Sequence, residues 1–207
     1  GNIASFGLTE RGGAISVENC DMLTTIGLDA DDTLWQNEAF FRLTQDRFIR
    51  LLADHAAPDH LADRLEQAER RNLGHYGFGV KGFTLSMIET AIEVTEGRVP
   101  ASVIGELVAA GREMLEHPIE LLPHVRTTVT ALAAEYRVIL ITKGDLFHQE
   151  AKVRESGLSD LFRRIEIVSE KDTATYTRLL TEFALAPEQF AMIGNSLRSD
   201  IVPVLEL

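Results

Sequence analysis

Apolar and polar positions change period along the chain, and the changes mark out its elements. Short apolar runs at Met22–Leu28, 137–142, 164–168 and 190–193 have strand length and are rich in Ile, Val and Leu. Between them the spacing turns helical. Residues 38–52 place apolar side chains at 40, 41, 48, 51 and 52, and Pro58 opens a helix with Leu61 and Leu65 on one face and charge on the other as far as Arg70 and Arg71. Four glycines in the nine residues Gly74 to Gly82 predict a bend there. Helical spacing resumes over 83–95 through Leu85, Ile88 and Ile92, and again over 101–115.

Residues 118–123 read as a return linker. Helices are then expected over 123–135, 145–156 (stopped by Gly157) and 173–185, each followed by one of the short apolar runs. Strands alternating with helices of this length imply an α/β fold with a parallel sheet covered on both faces. Residues 36–117 contain helices only and interrupt that alternation. Residues 1–22 are polar and glycine-bearing with little periodicity, so they read as an extension. There is no internal repeat.

The composition narrows the function classes. A chain of 207 residues, 45% apolar and 25% charged, can bury a real core. Twenty Lys and Arg against 32 Asp and Glu leave a formal charge of −12, which disfavours nucleic acid and anionic membranes as partners. A small anionic substrate therefore needs local positive charge. The single cysteine, Cys20, excludes an internal disulfide and fits a reducing compartment. No apolar run approaches a membrane span and no secretory leader is visible, so the cytoplasm is the default location. The histidines lack zinc-ligand spacing.

The chemistry concentrates in Thr25–Trp35. An apolar run stops abruptly on Asp29, Asp31 and Asp32, at the strand end where open α/β sheets keep their ligand sites. Three carboxylates so close repel unless a cation offsets them, and a hard divalent ion such as Mg²⁺ is suited to that. Asp32 has the character of a local helix cap.

Asp29-Ala30-Asp31-Asp32-Thr33-Leu34 resembles the first motif, DxDxT, of the haloacid dehalogenase-like superfamily. Three further landmarks follow in order. The strand that ends on Thr142-Lys143-Gly144-Asp145 resembles the second motif, Lys171 in Ser169-Glu170-Lys171-Asp172 the third, and Gly194-Asn195-Ser196 with Asp200 the fourth, with Asn195 where an Asp is commoner. The resemblance implies a Rossmann-like parallel core at 23–35 and 118–207, with an inserted all-helical cap at 36–117 of the family's first cap class. It also implies a further strand after Asp200, without which a sheet edge would stand unprotected.

For function, the resemblance implies a Mg²⁺-dependent phosphatase of a small phosphorylated metabolite. Asp29 is the expected nucleophile and Asp31 the acid and base. Thr142, with the amides of Lys143 and Gly144, should bind phosphate, and Lys171 should bridge nucleophile and phosphoryl, with Lys143 as competitor for that role. Asp29, the Asp31 carbonyl, Asn195 and Asp200 are the expected metal ligands. On the glycine-rich bend, Lys81 or His75 is expected to touch the leaving group. A dehalogenase of the same superfamily has no need of an acid at position 31. A phosphomutase would share all four motifs, and a non-catalytic module that kept the fold would suit Asn195.

Overall fold

The computed structural model describes residues 23–207, so the extension expected at 1–22 lies outside the described residues. Four parallel strands form the sheet: β1 (Thr25–Leu28), β2 (Arg137–Lys143), β3 (Arg164–Val168) and β4 (Phe190–Ile193), in the order β3-β2-β1-β4. β1, which carries the acidic stretch, is therefore central, and its register pairs Leu28 with Leu140 on one side and Ile193 on the other. All the loops that follow these strands open at one edge of the sheet.

Successive side chains of β2 go to opposite faces, so its unbroken apolar run serves two cores. Val138 and Leu140 join Ile26, Leu28, Val129 and Val153 on one face, while Ile139 and Ile141 join Tyr176, Leu179 and Phe190 on the other. Gly27 has no Cβ because the Phe190 ring and Met192 sulfur stand against it; an added Cβ would lie 2.6 and 2.8 Å from them.

Between β1 and β2 run four helices, α1 (Glu38–Leu51), α2 (Pro58–Tyr76), α3 (Val80–Val94) and α4 (Ala101–Leu115). They bury a cluster of their own, with Phe48, Leu61, Leu65, Phe83, Met87 and Leu107 at its centre. After them come α5 (Val125–Glu135), α6 (Leu146–Ser156), α7 (Thr173–Glu182) and the single turn α8 (Val202–Leu205). No described helix is long and apolar enough to cross a membrane.

Several boundaries differ from the sequence reading. β1 begins at Thr25. α5 begins at Val125, because His124 before it takes a left-handed conformation, and α7 stops at Glu182, just before Ala184 does the same. The bend expected across 74–82 contracts to Gly77-Phe78-Gly79, with φ of 69° at Gly77 and 117° at Gly79. Gly74 lies inside α2, where a helix tolerates glycine at a cost of about 1 kcal/mol. Gly82 lies inside α3 for a packing reason: a Cβ there would come 2.9 Å from the Gly77 carbonyl oxygen.

Candidate active site

The turn after β1 is built to present carboxylates. The Ala30 carbonyl accepts from the Thr33 and Leu34 amides at 3.2 and 2.7 Å, folding the chain back so that buried Trp35 lies beneath it. Asp32, in the left-handed region, accepts from the amides of Asn37 and Glu38 at 3.0 Å and so caps the start of α1. All three carboxylates line a cavity of about 420 Å³ between the strand ends and the four-helix unit, and Asp29 and Asp31 are the two not committed to the helix start.

Lys171 is the buried hub. It reaches the site from the loop after β3, and its ammonium donates to the Asp29 carboxylate and, at 2.7 Å, to Asp200 Oδ1. Asp200 has no exposed surface. A five-residue π-turn, Leu197–Ile201, tucks it back under Gly194, and Asp200 Oδ2 accepts from the Ser196 amide at 2.9 Å. Thr33 links the loops after β1 and β4: its hydroxyl donates to Asp29 Oδ2 at 3.0 Å and accepts from the Asn195 amide at 3.1 Å. Burial pushes the Asp29 carboxyl above the usual carboxylate range; Lys171 pulls it down and Asp200 adds to the rise.

A second network surrounds Asp31. Its Oδ1 accepts from Lys152 at 2.6 Å and from the Trp35 indole at 2.7 Å, and its Oδ2 from Gln149 at 3.0 Å. The same Gln149 nitrogen also lies 3.0 Å from Thr142 Oγ1 and from the Lys143 carbonyl oxygen, while Lys152 donates to Asn37 Oδ1 at 3.0 Å. The two Nε2 protons are shared among these three acceptors, and the Thr142 hydroxyl donates to no described residue, which leaves its proton available for a ligand oxygen. His148 also lines the cavity; burial and the neighbouring Lys152 push its imidazole down to about 4, so it is neutral near pH 7.

Residues 23–203 match the sequence model of the haloacid dehalogenase-like hydrolases. The chain belongs to that family. This hydrolase is 54% identical to a haloacid dehalogenase-like family hydrolase from Xanthomonas campestris, over 89% of this chain and 78% of that one, with a TM-score of 0.85. It shares its fold with a 2-haloacid dehalogenase from Pseudomonas syringae, at 18% identity over 89% and 83% of the two chains and a TM-score of 0.57. A predicted phosphoglycolate phosphatase from Haemophilus somnus shares it too, at 19% identity over 89% and 81% and a TM-score of 0.58. No curated protein matches the sequence.

In this hydrolase Asp29, Asp31, Thr142, Lys143, Gly144, Lys171, Asn195 and Asp200 all line the one cavity. Lys171 is the ammonium that meets Asp29, whereas Lys143 bonds Glu170 at 2.9 Å and lies 3.9 Å from the centre of the Phe78 ring. Lys81 and His75 depart from expectation, since neither lines the cavity. Lys81 is drawn to Asp145, at 2.9 and 3.0 Å, and His75 faces outward on the last turn of α2. Gln149, Lys152 and His148 were missed. The signal available was helical spacing: 149, 152, 153 and 156 share the buried face of α6, so its three polar residues, Gln149, Lys152 and Ser156, had to find partners inside.

The donor set suits a hard divalent cation. The residues expected to hold a metal offer oxygens alone, from the carboxylates of Asp29 and Asp200, the exposed Asn195 amide and the Asp31 carbonyl, and all four residues line the cavity. Among the described residues no group of three or more His, Cys, Asp or Glu is arranged for a metal. Mg²⁺ is commonly held by one or two carboxylates together with water and substrate phosphate, so this sparse set fits it better than it fits Zn²⁺.

Proposed function

We propose that this hydrolase is a Mg²⁺-dependent phosphatase of a small phosphorylated metabolite, with residues 36–117 acting as its cap. The observation that supports this best is Asp31, whose carboxylate enters the same cavity as Asp29 and is gripped by three donors. A proton-transfer group placed there has work to do when an alkoxide leaves, and none when a halide leaves.

In this reading an Asp29 oxygen attacks phosphorus as the bond to the leaving oxygen breaks, and Asp31 gives that oxygen its proton. Asp31 then takes a proton from a water that attacks the phosphorus of the aspartyl-phosphate, releasing phosphate and restoring Asp29. The Thr142 hydroxyl and the Lys143 and Gly144 amides hold the phosphoryl oxygens, and Lys171 sets the direction of the Asp29 carboxylate. Mg²⁺, held by Asp29, the Asp31 carbonyl, Asn195 and Asp200, would offset charge on the phosphoryl oxygens.

The test is hydrolysis of p-nitrophenyl phosphate. Activity is expected with Mg²⁺, lost on chelation, and reduced by roughly 10⁴-fold or more in Asp29→Asn. Equal rates for the wild type and Asp29→Asn would reject the reading.

A further inference from the structure

The cavity's far wall, on α2 and α3, shows a different chemistry from its floor. Of the carboxylates that line the cavity, Asp29, Asp31, Asp32, Asp145 and Asp200 are all hydrogen-bonded to donors deep in the site or at a helix start, and Glu38 bonds Arg42. Glu69 on α2 is the exception. It is half-buried and has neither an ion pair nor a hydrogen bond among the described residues. Burial pushes its carboxyl upward, and nearby Glu66 adds to the rise.

One turn further on, Asn72 is only 7% exposed and also lines the cavity. Its Nδ2 donates to Ser86 Oγ at 3.1 Å and to Glu89 Oε2 at 2.7 Å. Both are acceptors here, because the Ser86 proton is already given to the Gly82 carbonyl at 2.8 Å. The amide is thereby oriented, with its oxygen left over. That oxygen receives no hydrogen bond from the described residues and is not sealed in, since Gln149 Oε1 is the one side-chain atom both buried and unpartnered among them.

Glu69 and the Asn72 oxygen are thus two acceptors on this wall to which no described donor is bonded, flanked by the apolar surfaces of Phe41, Leu73 and Phe83. The three ammoniums that line the cavity belong to Lys143, Lys152 and Lys171, and each is already paired with a carboxylate near the strand ends. A ligand group that pairs with these two acceptors brings donors and positive charge. We propose that the leaving group of the substrate carries a protonated amine, which Glu69 and the Asn72 oxygen bind, so that the substrate is the phosphomonoester of an amino alcohol or amino sugar. This rests on the phosphatase reading and names its substrate class.

Matched pairs test it: glucosamine phosphate against glucose phosphate, both esterified at the primary hydroxyl, and phosphoethanolamine against ethylene glycol monophosphate. A charge-assisted contact of this kind predicts kcat/KM at least about tenfold higher for the amine of each pair. Glu69→Gln should bring the ratio close to one and Glu69→Asp should retain a preference; the ratio within one variant does not depend on how much of it is folded. A wild-type ratio near or below one, or an unchanged ratio in Glu69→Gln, overturns the proposal. If p-nitrophenyl phosphate is hydrolysed but no amine preference appears, this inference alone fails; if no phosphomonoester is hydrolysed with Mg²⁺, the phosphatase reading fails and takes it along.

Discussion

Asp31, the proposed proton donor and acceptor, is held on both carboxylate oxygens by buried neighbours. Lys152, with a side chain only 7% exposed, fixes one of its oxygens, and Gln149 ties the other to Thr142. Lys152→Met should therefore lower kcat by roughly 10- to 100-fold with little change in KM, and Lys152→Arg should recover part of the loss, as steady-state kinetics would show. The letters Asp29, Lys171 and Asp200 were legible because they stand in a recognisable order. Gln149 and Lys152 were not, because a polar residue on a helix reads as solvated until the neighbouring turn is known to pack over it.

His148 supplies a pH dependence at the same scale. Its pKa falls from 6.5 in the unfolded chain to about 4 in the folded one, chiefly through burial. Below pH 6.5 the unfolded state takes up a proton that the folded state refuses, so this stabilising contribution is present above pH 6.5 and lost as pH falls toward about 4. Solvent screening of a half-buried ring leaves about 1 to 2 kcal/mol. Thermal melts of His148→Asn should lose less stability than the wild type over that interval.

At the level of elements, the strands and most helices could be read because β2 and its neighbours are buried on both faces and the helices carry clear apolar stripes. The bend is shorter than its four glycines imply. Glycine marks both a positive φ, as at Gly79, and a tight approach, as at Gly82, and the letter is the same for each. The bend confined to residues 77–79 sets Phe78 against Lys143. Gly79, at φ 117° and ψ −179°, occupies a region that other residues avoid. Gly79→Ala should cost about 1–3 kcal/mol in chemical denaturation and raise KM for p-nitrophenyl phosphate, because the strained bend carries Phe78 away from the cavity.

For the molecule as a whole, four loops from one sheet edge and one helical unit enclose a single chemical centre. A fold shared with both a predicted phosphatase and a dehalogenase cannot choose between their reactions; the side chains in the cavity must. The two reactions send the hydrolytic water to different atoms. In phosphoryl transfer it attacks phosphorus, whereas in dehalogenation it attacks the carbonyl carbon of the ester formed on the nucleophilic aspartate. Turnover in water labelled with heavy oxygen, followed by mass spectrometry of the released phosphate and of the peptide containing Asp29, separates them. With p-nitrophenyl phosphate the label should appear in phosphate and be absent from Asp29. No phosphate release, together with turnover of 2-chloropropionate that puts the label into Asp29, would contradict the account.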